Sequence, residues 1–284
     1  MELIRRTVPN NFNIFLVGDA HLGSMMYHQD GWEQMVDMVN SPYDGVKHNV
    51  VVDHGDAIEA IKTDDPRFQY ESTRIASILQ QAEFAKSARV AIQKQLVVLL
   101  TGNHEKKLHR YGDITKDLLC KNLNVPYGTY SCKIIYEDKK GDVILKHFAT
   151  HGRGSINSVA DDEVRRESNM ELSLKRKLKR KFGDTALNTM GHSHKLIVAK
   201  PKKTLFLIDD GENIKQRYVS SINLGEYIHP DHKWYANTGS FMRLYGEMGV
   251  SGYAEEALYD PVMLGFAVCK VRDRQIVDVV KEYI

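Results

Sequence analysis

Five times along the chain an apolar run stops at a glycine flanked by acidic, amide or imidazole side chains. Ile14 to Val17 leads into Gly18-Asp19-Ala20-His21, and Val50 to Val52 into Asp53-His54-Gly55-Asp56. Leu96 to Leu100 leads into Thr101-Gly102-Asn103-His104-Glu105, Val143 to Thr150 into His151-Gly152, and Ala186 to Met190 into Gly191-His192-Ser193-His194. Short apolar runs closed this way predict buried strands, and open α/β sheets place their ligands beyond the carboxyl ends of such strands. Glycine lets the backbone turn sharply there.

Helical spacing fills the intervals. Trp32, Met35, Val36 and Val39 predict a helix that ends at Ser41-Pro42, a βαβ start that argues for helices packed on a largely parallel sheet. Ile75, Ile78, Leu79, Ala82 and Ala85 form one stripe within Glu71 to Lys94, with no Gly or Pro inside, and give the clearest helix pattern in the chain. Ile114, Leu118 and Leu119 mark a shorter one, broken by Asn124 to Gly128. Ser131 to Tyr136 and Val143 to Thr150 alternate around Asp138-Lys139-Lys140-Gly141, as a β-hairpin does. A helical, basic excursion over about 155–182 carries an apolar seam of Leu174, Leu178 and Phe182. The part over 195–284 is β-rich, with strands predicted at 196–199, 205–208 and 216–224 and a closing hairpin of 262–271 and 275–283. No repeat or linker interrupts this, so 1–284 reads as a single domain of the α/β class.

Composition narrows the picture. With 284 residues, 42% of them hydrophobic, the chain can bury a sizeable core, and a formal charge of +2 gives no global signature of polyanion binding. The three cysteines are scattered and form no CxxC pair, which fits reduced thiols and a cytoplasmic location. Met1 to Arg6 lacks the apolar core of a signal peptide, and no apolar run approaches the ~20 residues that span a bilayer, so no membrane partner is expected.

Oxygen and imidazole donors converging from five strand ends are most simply a metal cluster. A single His-Ser-His is as compatible with a surface turn, and a single Asp-x-His with a helix cap; the ordered set of five is what carries weight. His54 sits beside Asp56 and is read as supporting or packing rather than ligating. His229 and His232, flanking Pro230, are read as loop residues.

The order Gly18-Asp19-x-His21, Gly55-Asp56-x-x-Glu59, Gly102-Asn103-His104-Glu105, His151-Gly152, Gly191-His192-x-His194 resembles the calcineurin-like metallophosphoesterase superfamily. The resemblance runs from about Asn13 to His194. It implies a four-layer αββα sandwich of two mixed β-sheets flanked by helices. It also implies one cation held by Asp19, His21, Asp56 and His194 and a second by Asp56, Asn103, His151 and His192, with Asp56 bridging. His104 matches the family's catalytic histidine. Glu59 departs from the Asp that many members carry, at a position that is usually not a ligand. Asn237-Thr238-Gly239-Ser240 resembles the small-residue turn packed near such sites.

The expected activity is hydrolysis of phosphoesters with two divalent cations, Mn first and Fe, Zn or Ni as alternatives, using water held between them as the attacking group. A phosphodiesterase acting on DNA or RNA leads, because Gly18 to Gly23 is similar to the opening block of the repair-nuclease branch. Six of the seven residues 175–181 are also basic. Lys175, Lys177 and Lys181, with Lys106 and Arg110 beyond His104, are the candidate phosphate contacts; the plain alternative is a solvated helix face for the first three and ordinary charged exposure for the last two. The alternatives are a phosphomonoesterase and a metal-free scaffold. Against the serine/threonine protein phosphatase branch, the Asp56 block lacks that family's following Arg-Gly.

Overall fold

Two mixed β-sheets pack face to face with helices on both outer sides in the computed structural model, which describes residues 1–65, 68–219, 222–246, 250, 253–256 and 258–284. In chain order the elements are β1 (Glu2–Thr7), β2 (Phe12–Val17), α1 (Gln29–Asn40), β3 (Asn49–Asp53), α2 (Ile78–Val90), β4 (Leu96–Leu99) and α3 (Asn103–Lys106). A π-turn, Thr115–Cys120, runs into α4 (Lys121–Leu123), followed by β5 (Ser131–Glu137), β6 (Val143–Thr150), α5 (Glu163–Leu178), β7 (Leu187–Met190) and β8 (Leu196–Ala199). The chain closes with β9 (Thr204–Asp209), β10 (Ile214–Val219), β11 (Trp234–Thr238), α6 (Tyr253–Glu256), β12 (Gly265–Arg272) and β13 (Gln275–Tyr283).

One sheet has six strands in the order β1-β5-β6-β7-β11-β8, the other five in the order β13-β12-β2-β3-β4, and β9 and β10 form a separate ribbon. Only β2, β3 and β4 are mutually parallel in the five-stranded sheet; β12 pairs antiparallel with β2. The largely parallel sheet expected from the βαβ start is therefore replaced by two mixed sheets, with β2, β3 and β4 parallel in one and β6, β7 and β11 parallel in the other.

Alternation along β2 explains the layers, because successive side chains point to opposite faces. Ile14 and Leu16 enter the core between the sheets, against Ile134, Ala149 and Leu187 of the six-stranded sheet. Phe15 and Val17 face outward, against Trp32, Met35 and Val39 of α1 and Ala82 and Ala85 of α2. On the far side, Leu174 and Leu178 of α5 dock on Phe148, Met190 and Tyr235 of the six-stranded sheet, as the apolar seam anticipates.

Three expectations need correction. The helix expected from Glu71 begins at Ile78, capped by the Ser77 side chain; the preceding residues serve another purpose, with Arg74 and Ile75 donating backbone N–H groups to the Gly23 carbonyl. Leu79, placed in the apolar stripe, is exposed, while Gln81 and Arg89 are buried. Strands β1 and β11 carry no clear strand signal in the sequence, yet β1 pairs parallel with β5 and β11 joins β7 to β8. The strand expected over 216–224 ends at Val219; Ser220 and Ser221 lie outside the described residues. No helix among the described residues is long and apolar enough to cross a membrane.

Candidate metal centre

The carboxyl ends of β2, β3 and β4 meet those of β6 and β7, and the polar residues after each strand share one pocket. Asp19 and His21 follow β2, Asp56 follows β3, Asn103 and His104 follow β4, His151 follows β6, and His192 and His194 follow β7. The turns that deliver them are tight. Asp19, His21, Asp56, His192 and His194 all adopt left-handed backbone, with φ between 50° and 71°. Non-glycine residues rarely do so, and such conformations concentrate at functional sites. Close approach matters as much: a Cβ at Gly102 would lie 1.9 Å from Asp56 Oδ1, and one at Gly55 would meet Gly102 N at 2.6 Å.

Three overlapping donor groups result, one of them His21, Glu59 and His104, and the other two correspond to the expected cation positions. In the first of these two, Asp19, His21 and His194 converge: His21 Nε2 lies 3.1 Å from His194 Nε2, and His194 Nε2 lies 3.6 Å from Asp19 Oδ1. In the second, Asp56, His151 and His192 converge on Asn103: His151 Nε2 is 2.9 Å and His192 Nδ1 2.5 Å from Asn103 Oδ1. One oxygen lies between them. Asp56 Oδ2 is 3.3 Å from His151 Nε2 and 3.8 Å from His21 Nε2.

Supporting contacts fix which nitrogen faces inward. His21 Nδ1 donates to Glu59 Oε2 at 2.8 Å, and His151 Nδ1 donates to the His54 carbonyl at 2.8 Å, so each ring turns Nε2 toward Asp56. His104 Nδ1 donates to the Glu59 carbonyl, its backbone N–H donates to Asp56 Oδ1 at 2.9 Å, and its ring meets His21 edge-on. Asp19 accepts the His192 backbone N–H, and its own carbonyl accepts Ser240 Oγ at 2.8 Å, which ties the Asn237 to Ser240 turn to the pocket.

Charge balance in the pocket is taken up by imidazole. Burial opposes a charged ring at His21, but Glu59, then Asp56 and Asp19, outweigh it and lift His21 to about 9. His151 also rises to about 9, because Asp56 and Asp19 override its burial. Burial raises Asp19 to about 7, whereas Asp56, although buried, is held well below its ordinary range by His151, His104 and His21. Burial and the neighbouring His151 lower His192 to about 4. Carboxylates that draw protons onto adjacent rings mark a place where positive charge is favourable. An oxygen and imidazole donor set without thiolate fits divalent Mn, Fe, Zn or Ni.

All seven candidate ligands and His104 therefore share one pocket. The candidate phosphate contacts have other partners: Lys106 Nζ meets His109 Nδ1 at 3.1 Å, Arg110 lies over the Tyr111 ring, and Lys175 pairs with Asp231. Lys177 Nζ donates to the Arg153 carbonyl at 2.9 Å, and Lys181 is exposed.

Three residues outside the expected ligand set support it. Glu59 orients His21. His54 is wholly buried, anchored through Nδ1 to the Val17 and Val52 carbonyls, and lends its own carbonyl to His151. Glu105 accepts the Gly102 and Ile58 N–H groups at 2.9 and 3.1 Å, which joins the turns after β3 and β4. Glu105 had a local signal, since a Glu three residues into a helical turn commonly reaches back to its first N–H. His54 is set apart by its place beside Asp56 as supporting or packing, whereas the link from Glu59 to His21 spans 38 residues and had no local signal. No family model and no curated protein matches the chain.

Proposed function

We propose that this protein is a phosphoester hydrolase working with two divalent cations, of the kind found in calcineurin-like metallophosphoesterases, and that its preferred substrate is a phosphodiester of DNA or RNA. The single observation that carries the reading is the position of Asp56 Oδ2, flanked by the inward nitrogens of His151 and His21 and so placed to serve two donor groups at once. Asp19, His21 and His194 would hold one cation with Asp56, and Asn103, His151 and His192 the other. Bound there, such a pair neutralises phosphate oxygens and brings the ionisation of water toward neutral pH.

The chain's own residues have separate tasks. Glu59 and the His54 carbonyl hold two imidazoles by Nδ1, so that Nε2 is the nitrogen that would give up its proton to a cation. His104, anchored through Nδ1, keeps Nε2 for handing a proton to the departing ester oxygen. A cleft of about 610 Å³ opens beside His192 and His194, lined also by Ser155, Asn157, Lys195 and Tyr259. The diester preference is supported by the reach of Lys177 to Arg153, which sets the basic end of α5 beside the loop that leaves His151.

The test is metal analysis of the purified protein together with a substrate panel in added Mn. The panel compares bis-(p-nitrophenyl) phosphate, p-nitrophenyl phosphate, and single- and double-stranded DNA and RNA. Bound metal with cleavage of the diester and of a nucleic acid is the expected result. Cleavage of the monoester alone would replace the diester reading with a phosphomonoesterase, and a protein with neither metal nor cleavage would be the non-catalytic scaffold.

A further inference from the structure

The ribbon β9–β10 joins none of the three apolar cores among the described residues, and every residue of β9 is exposed. Leu205, Phe206, Leu207 and Ile208 are 48%, 41%, 66% and 38% exposed, an apolar edge strand of the kind that pairs with another chain. A two-stranded ribbon alone is marginally stable in water. The sequence around β9 is Lys202-Lys203-Thr204-Leu205-Phe206-Leu207-Ile208-Asp209-Asp210, basic at one end, apolar in the middle and acidic at the other.

We propose that two copies of this chain associate through β9, paired antiparallel about a two-fold axis at Phe206, so that two ribbons become one four-stranded sheet. In that register Lys203 faces Asp209 and Lys202 faces Asp210 at both ends, while Leu205 faces Leu207 and Phe206 faces its own copy. Opposite charges directly across a strand pair stabilise it, and like charges destabilise it. A parallel pairing in register would set lysine against lysine.

The backbone selects the same register independently. Asp210 N donates to the Asn213 carbonyl at the turn, and the pairing of β9 with β10 runs without a register shift. Alternation then directs the N–H and C=O groups of Ile208, Phe206 and Thr204 toward β10. Those of Lys203, Leu205, Leu207 and Asp209 point outward. Centring on Phe206 brings outward-facing residues opposite one another, Leu205 to Leu207 and Lys203 to Asp209. A slip of one residue would set outward groups against inward ones and lose the bonds. The other edge of the ribbon, β10, is more polar, with Lys215 paired to Asp210 and Gln216 and Arg217 between the exposed Ile214 and Tyr218.

The experiment is light scattering on size-exclusion eluates over a wide concentration range, read against the 32.4 kDa chain mass. The wild type reaches twice that mass. Lys203→Asp and Asp209→Lys each place like charges at both symmetric contacts and raise the dissociation constant roughly tenfold. Combining the two restores opposite charges and brings the constant back. Phe206→Cys lies on the axis and oxidises to a disulfide-linked dimer, whereas Gln216→Cys on β10 does not; the native cysteines are all buried and give little background. A monomer at every concentration, single variants that dimerise like the wild type, or equal crosslinking at both positions would overturn the proposal. So would a ribbon that gains protection only when DNA or another protein is added.

Discussion

Glu59 Oε2 sits 2.8 Å from Nδ1 of His21 while Nε2 of the same ring faces Asp56. A carboxylate behind a ligating imidazole fixes its tautomer and makes it a better donor, and losing such a partner typically costs 10–100-fold in metal affinity. Glu59→Ala should weaken Mn binding by roughly that factor, measured by isothermal titration. Glu59→Gln keeps an accepting oxygen without the charge, and its affinity should fall between the two. Equal affinities in all three proteins would mean that His21 is not a ligand.

His104 touches the cluster through its neighbours, its ring nitrogen committed to the Glu59 carbonyl and its N–H to Asp56. His104→Ala should lower turnover about 10²–10⁴-fold, the usual contribution of a general acid, with bound metal unchanged. Metal content measured beside kcat checks this. If metal is lost with the activity, His104 belongs among the ligands.

Arg89 and Asp53 form a wholly buried ion pair at 2.8 Å, with the guanidinium also over the Trp32 ring. Removing one partner of a buried pair leaves an uncompensated charge and costs about 3–5 kcal/mol. Arg89→Leu should lose stability on that scale in urea unfolding. Because Asp53 Oδ1 also accepts Gly55 N–H, just before Asp56, metal affinity should weaken along with stability.

Asp184 accepts from Lys133 and Lys146 at 2.7 and 2.9 Å. Burial pushes its carboxyl upward, but the two lysines outweigh this and hold it below its ordinary value of 3.8. A depressed folded value gives stability that is complete above the unfolded value and fades as pH falls through the folded one. Asp184→Asn should therefore cost about 1–2 kcal/mol at neutral pH. The two melting curves should converge in acid below 3.8. A gap that stayed constant with pH would show that the contact is not ionic.

Much of the pocket was legible because each ligand lies within four residues of a strand end, a local pattern that apolar runs and glycines reveal. The sheet-on-sheet core was expected only through the family resemblance; the apolar runs by themselves argued for helices on a largely parallel sheet. What escaped depends on distant partners. Gln81 and Arg89 are polar, yet they are buried because Gln81 Oε1 accepts Ala60 N–H and Arg89 meets Asp53. That made the face of α2 unreadable from hydrophobic spacing. Strand β1 has Leu3 exposed and earns its place only by pairing with β5, far along the chain. Lys175 looked available for phosphate until Asp231, on a separate loop, proved to face it.

β12 lies beside β2, the strand that carries Asp19 and His21, although almost the whole chain separates them. Synthesis of the first donors thus precedes by some 250 residues the strand that shields their neighbour's edge. Contacts this remote in sequence fold slowly, since closing so long a loop precedes any gain from it. A nascent chain cannot complete the pocket before β12 is made, and truncation ahead of Gly265 would strip β2 of one edge partner and leave a sticky, incompetent fragment.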